Sequence, residues 1–149
     1  MFDLTGRKAL VTGATGGIGE AIARALHARG ATVGLHGTRV EKLEALAGEL
    51  GERVKLFAAN LADRDEVKAL GQKAEAGLEG VDILVNNAGI TRDGLFVRMS
   101  DADWDSVIEV DLTAVFRLTR ELTHPMMRRR HGRIINITSV VGVTGNPGQ

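Results

Sequence analysis

The sequence predicts an α/β fold, a doubly wound parallel sheet of five strands flanked by helices. Two observations carry that expectation. Short apolar runs alternate strictly with amphipathic segments of helical period, the pattern of consecutive βαβ units. Each apolar run also ends in a polar or glycine-rich group, which a parallel sheet gathers along one edge. A chain of 149 residues with 44% hydrophobic side chains can bury one core and not two. Right-handed crossovers then favour the doubly wound arrangement.

In chain order, residues 9–11 read as the first strand. Ile18, Ile22 and Leu26 then share one face of a helix, with Glu20, Arg24 and His27 off it and Gly30 placed to end it. Residues 32–36 form the second strand, and Leu43, Leu46, Ala47 and Leu50 the apolar face of the next helix. After a third strand over 54–58, a helix turns Val67, Leu70, Ala74 and Leu78 inward behind Asp63 and Glu66, which are spaced like a capping box. The fourth strand covers 81–85. The longest helix starts near Ser100, directs Trp104, Ile108, Leu112, Val115 and Leu122 inward, and is ended or kinked by Pro125. Residues 133–138 close the series as the fifth strand, and no internal repeat is visible.

Composition excludes several function classes. Basic and acidic side chains number 19 each, so the net charge is zero, which argues against a nucleic-acid binder or a polybasic membrane protein. Aromatics at 3% argue against a base-stacking platform. The absence of cysteine rules out a disulfide scaffold, a thiol nucleophile and a cysteine-ligated metal, and no metal centre is expected. No apolar run approaches the ~18 residues of a membrane span, and Asp3 interrupts a signal-peptide pattern. Glycine is in excess, 19 residues against a usual ~7%. Tyrosine is absent.

The strand ends hold the informative residues: Thr12-Gly13, Gly37-Thr38-Arg39, Asn60, Asn86-Asn87-Ala88-Gly89 and Ser139. Any one of these groups is ordinary turn chemistry. Five on one edge point to a binding site. The sharpest is the run Thr12 to Gly19, with its glycines spaced G-x-x-x-G-x-G rather than the commoner G-x-G-x-x-G. Such glycines permit a tight turn and a close approach of backbone to a pyrophosphate. The helix that follows offers unpaired N–H groups to the phosphates.

The run TGATGGIG followed by NNAG resembles the signatures of the short-chain dehydrogenase/reductase family. Residues 87–95, with Arg98-Met99 and residues 131–135, more narrowly resemble its bacterial 3-oxoacyl-[acyl-carrier-protein] reductases, and the likeness covers the chain from the first strand to Gln149. The resemblance implies a Rossmann-like sheet of order 3-2-1-4-5 and one NADP-binding domain over residues 1–149, with later strands missing. It implies a cofactor loop shaped by Gly13, Gly17 and Gly19, with backbone contacts from Ala14, Thr15, Gly16 and Ile18. Asn60 and Leu61 take the adenine, and Asn87, Ala88 and Gly89 the nicotinamide ribose, while Asn86 ties strands together. Ser139 matches the serine that hydrogen-bonds the substrate carbonyl.

Cofactor choice follows from the end of the second strand. A carboxylate there would accept the ribose 2′-OH and repel a 2′-phosphate. This chain has Thr38 and Arg39 with no acid before Glu41, and a guanidinium suits bidentate phosphate contact, so NADP(H) is expected. By resemblance the activity is NADPH-dependent reduction of 3-oxoacyl-[acyl-carrier-protein] in fatty-acid synthesis, by a cytoplasmic homotetramer. Arg128, Arg129, Arg130 and Arg133 form a basic cluster, and Arg129 and Arg130 are the expected docking residues for the acidic carrier protein.

Two departures bear on chemistry. Asp111 stands where the family's long helix carries an asparagine that helps hold a proton-relay water. The family's proton donor, a tyrosine four residues before a lysine, has no counterpart, so the chain looks like an N-terminal portion and is expected to be inactive alone. Serine is too weak an acid to replace it. Of the four histidines, His36 ends the second strand on the adenosine side, and none is placed beside the carbonyl. Two other readings stand beside the reductase: a non-catalytic NADP(H)-binding module, and a reductase of another small carbonyl compound.

Overall fold

The computed structural model describes residues 2–149. Its strands are β1 (Lys8–Val11), β2 (Thr32–Gly37), β3 (Val54–Ala58), β4 (Ile83–Asn86) and β5 (Arg133–Asn136). All pair in parallel, in the order β3-β2-β1-β4-β5, so the expected doubly wound topology is the one found. The order in which strands are added reverses between β1 and β4, and Leu10 of β1 stands opposite Gly34 on one side and Leu84 on the other.

Side chains alternate across each strand, and this splits the core in two. Ala9, Val11, Val33, Leu35 and Val85 face α1 (Gly17–Ala28) and α2 (Val40–Leu50), meeting Ala23, Leu43 and Leu46. Leu10 and Leu84 point the other way, onto Val67, Leu70 and Ala74 of α3 (Arg64–Gly77) and Leu118, Leu122 and Met126 of α5 (Ala114–Arg129). β5 is exposed along its whole length, including Ile134 and Ile135.

Several local expectations change. Ile18 is 65% exposed, because the first turn of α1 projects past the sheet, and only Ile22 and Leu26 pack. β4 starts at Ile83; the Val81 N–H is taken by the Glu75 carboxylate at 2.9 Å and does not join the ladder. β5 stops at Asn136, and residues 137–139 lead into a short helix, α6 (Val141–Thr144). The capping box is one-sided. Asp63 accepts the Asp65 and Glu66 N–H groups at 2.8 and 3.0 Å, but Glu66 reaches past it to the Asn60 N–H at 2.6 Å.

The long helix differs most. α4 (Asp101–Ile108) passes into a π-helical turn over Glu109–Thr113 before α5 resumes. The wide turn shifts the register, so the inward set of α5 is Ala114, Leu118, Leu122 and Met126. Trp104 and Leu112, expected inside, are 57% and 62% exposed, beside Phe116 at 57%. Pro125 is buried within α5 without ending it, and Arg130 closes the helix in the left-handed conformation.

Candidate functional site

The carboxyl ends of β1, β2, β3 and β4 open on one cleft of about 590 Å³, the size range of small-molecule sites. Of the sixteen residues expected to form the site, thirteen line this cleft and three do not: Ala14, Asp111 and Ser139.

The turn after β1 is built by Thr12. Its buried hydroxyl donates to the Val85 carbonyl at 3.2 Å and accepts the Asn87 and Ala88 N–H groups at 2.9 and 3.0 Å. β4 is thereby locked to the turn. Gly13 follows at φ +64°, where a Cβ would stand 2.9 Å from the Ala88 Cα. At Gly19 a Cβ would collide with the Gly13 carbonyl and come within 2.5 Å of the Asn87 amide nitrogen. These two glycines are therefore packing requirements of the turn. Asn87 lines the cleft, yet its side-chain amide donates to the carbonyls of Thr12 and Gly13 at 2.9 and 3.3 Å. Asn86 lies beneath, donating to Thr119 and Asn136 at 3.0 and 2.8 Å, and so ties strands together as expected.

The start of α1 carries no capping side chain, and Gly16, Gly17, Ile18 and Gly19 turn it toward the cleft. A 12-residue helix beginning this way leaves donors and a partial positive charge facing the opening. α2 also begins uncapped, at Arg39, whose guanidinium forms no ion pair among the described residues. Asn60 and Leu61 close the far wall, although the Asn60 side-chain oxygen Oδ1 accepts the Ala62 N–H at 3.0 Å.

Three expected residues lie elsewhere. Ala14 is fully buried, its N–H donated to the His36 carbonyl at 2.8 Å. Ser139 accepts the Val141 N–H at 3.2 Å and forms the turn into α6. Asp111, in the π turn, sits at the rim, where its carboxylate accepts the Ile90 N–H at 2.8 Å beside Gly89. Burial pushes this carboxyl above its usual range, opposed in part by the Ile90 hydrogen bond. The expected docking residue Arg129 is spoken for: its guanidinium pairs with Glu75 and donates to the Val81 carbonyl at 2.9 Å. Arg128 and Arg130 are exposed and form no ion pair among the described residues.

The cleft also contains three residues outside those sixteen: His36, which the sequence puts on the adenosine side, and Ile90 and Val110, to which it gives no role. Ile90 directly follows the Asn87-Ala88-Gly89 run, so its place was readable. Val110 reaches the cleft only because of the π turn. His36, next to last in β2, has Nε2 3.1 Å from the Ala59 carbonyl and Nδ1 3.3 Å from the Gly13 amide. Among the described residues there is no cluster of three or more His, Cys, Asp or Glu able to hold a metal, and no helix long and apolar enough to cross a membrane.

A doubly wound sheet with a glycine turn, an open helix start and a cleft at its switch point defines a Rossmann-like α/β domain, with the cleft where such folds bind their ligands. The family model described as short chain dehydrogenase matches residues 7–149, and the chain belongs to that family. Over all 149 residues it is 89% identical to "Nodulation protein G" of Rhizobium sp. (strain N33) and 77% identical to that of Rhizobium meliloti (strain 1021). It is 51% identical to "3-oxoacyl-[acyl-carrier-protein] reductase FabG" of Rickettsia bellii (strain RML369-C). The chain spans 60–61% of the length of these relatives.

Proposed function

We propose that this chain carries the NADP(H) site of a reductase acting on 3-oxoacyl thioesters of acyl carrier protein. The observation that supports it most directly is the pairing of an uncapped α1 start with an unpaired Arg39 on one cleft, and no carboxylate among the cleft residues. Residues and group fit each other: the first turn of α1 suits a pyrophosphate, and Arg39 with Thr38 suits a 2′-phosphate. Asn60 and Leu61 would hold the adenine, and Gly89 and Ile90 line the part of the cleft that would take the nicotinamide. When bound, the dinucleotide supplies hydride to a carbonyl carbon.

The chain's own residues bind and orient. The first-turn amides of α1 neutralise phosphate charge, and the Thr12 hydroxyl fixes the Asn87-Ala88 segment at the reacting end. Asp111 holds the Ile90 N–H and brings a carboxylate to that end. Ser139, in the turn into α6, is the hydroxyl that the family resemblance assigns to the substrate oxygen. A carbonyl reduction also needs a positioned acid. These 149 residues contain no tyrosine, the family's donor, which favours a second reading, dinucleotide binding without turnover by this segment itself.

Exposed Arg128 and Arg130 are the cations available to an acidic carrier protein, and the exposed Leu112 and Phe116 suit self-association along α4 and α5. Calorimetry tests the central claim. NADP⁺ should bind at least about tenfold more tightly than NAD⁺, a phosphate–guanidinium contact's worth, and Arg39→Ala should abolish the difference. Equal affinities in the parent protein would refute the assignment. NADPH oxidation with an acetoacetyl thioester by these 149 residues alone would refute the role given to the missing acid.

A further inference from the structure

We propose that His36 is a positioning residue for the glycine turn, competent only as the neutral Nε2–H tautomer, so that dinucleotide binding in this cleft weakens on acidification. The proposal rests on the dinucleotide reading above. His36 is 2% exposed at the end of β2. A carbonyl only accepts and an amide N–H only donates. The Ala59 oxygen therefore requires a proton on Nε2, and the Gly13 N–H requires a lone pair on Nδ1. The ring thus spans from the segment after β3 to the turn after β1. The same residue's main-chain carbonyl accepts the Ala14 N–H at 2.8 Å, so His36 holds two successive amides of the turn.

On its other side the turn is fixed by Asn87 and Ala88, leaving it no room to move toward β4. Protonation would set an Nδ1–H donor against the Gly13 N–H donor. Two buried donors facing each other repel, and the turn must shift. The surrounding charges do not hold a proton on the ring. The turn after β1 contributes Gly13, Ala14 and Thr15, and the end of β3 contributes Phe57, Ala58 and Ala59, none of them charged. Arg39, from the start of α2, lines the same cleft, and Glu66 of α3 is engaged by the Asn60 N–H. Burial pushes the imidazole below its usual range, with the Ala59 hydrogen bond opposing only in part.

Two variants separate the roles. His36→Asn keeps an acceptor near the Nδ1 position and cannot titrate, while His36→Leu offers neither bond. NADP⁺ and NAD⁺ are titrated by calorimetry from about pH 8 to about pH 5.5, the second ligand separating out the 2′-phosphate's own titration. In parallel, the Gly13 and Ala14 ¹⁵N–¹H resonances of the ligand-free protein are followed over the same range. His36→Leu should bind both dinucleotides about tenfold more weakly at the upper pH, the loss of one buried hydrogen bond. The unsubstituted protein should lose NAD⁺ affinity progressively toward the acid end of the range, by less than about tenfold because burial holds the ring below its usual range, with the Gly13 resonance moving in step. His36→Asn should bind almost as well as the parent at the upper pH and show no comparable fall.

A His36→Leu protein that binds normally would overturn the proposal. So would a His36→Asn protein whose affinity falls with acid as the parent's does. If His36→Leu fails to fold, the His36→Asn profile decides. If neither dinucleotide binds any of the proteins, the cofactor reading fails. A Gly13 resonance that ignores pH in the parent would then overturn the His36 role separately.

Discussion

Thr12 uses its hydroxyl to capacity, one bond donated and two accepted, in a place water does not reach. Thr12→Val, nearly the same shape, strands two amides and should cost about 3 kcal/mol in urea unfolding. A loss under about 1 kcal/mol would mean those amides find other acceptors. Asp111 makes the opposite test. Its raised pKa means that the folded chain binds this proton more tightly than the unfolded chain. The carboxylate's contribution to stability therefore falls as pH climbs from the ordinary carboxylate value through the raised one. Asp111→Asn keeps an oxygen for the Ile90 N–H, so it should raise the melting temperature at neutral pH, and the gain should vanish below about pH 4. An equal gain at both pH values would exclude charge as the cause. For cofactor choice, Gly37 is a poor place to add an acid, since a Cβ there would stand 3.3 Å from the Thr15 hydroxyl and 3.4 Å from Leu43. Thr38 is exposed in the cleft, and Thr38→Asp should reverse the NADP⁺ preference about tenfold in calorimetry.

At the scale of elements, the sheet and the glycine turn were legible because their code is local: alternation, β-branched runs and glycine spacing. The long helix was not. Trp104, Ile108, Leu112 and Val115 do form a stripe, but the π turn at Glu109–Thr113 rotates α5 relative to α4, and no residue type announces that insertion. The same turn delivers Val110 to the cleft and Asp111 to its rim. Removing one residue between Glu109 and Thr113 should let an ordinary helix run through. Helical ellipticity should then persist while NADP⁺ affinity drops about tenfold or more. Unchanged affinity would detach the π turn from the site. Asn87 shows the other way in which the sequence was read only in part. Its place was right, but a side-chain amide whose donor is already bonded to two main-chain carbonyls serves the turn first. Ser139 lies outside the cleft, beyond a β5 that ends at Asn136, two residues sooner than the strand over 133–138 that the sequence suggests.

Over the whole molecule, the two core layers close around β1 and β4 and leave one flank unfinished. Leu112 and Phe116 on the long helix are exposed on that side, as are Ile134 and Ile135 on β5, the strand that ends the sheet. An apolar surface of this kind, on a chain of zero net charge, favours association. Sedimentation velocity should find a multiple of the 15.9 kDa chain, and Phe116→Glu should shift the distribution toward the single chain. A parent that sediments as a monomer at all concentrations would remove the helix face as an interface.

Four of the helix starts follow two designs. α3 and α4 begin under their own side chains, Asp63 and Ser100, while α1 and α2 begin bare. A cap is worth about 1 kcal/mol, so the bare starts leave the empty protein that much less stable. On the dinucleotide reading, a phosphate bound at these starts would make up the difference. Ligand concentration and resistance to unfolding are coupled through this end of the molecule, the stability gained growing with the logarithm of ligand in excess of Kd. On the dinucleotide reading proposed above, a chain so built would survive a protease longest when that ligand is plentiful, whatever its oxidation state.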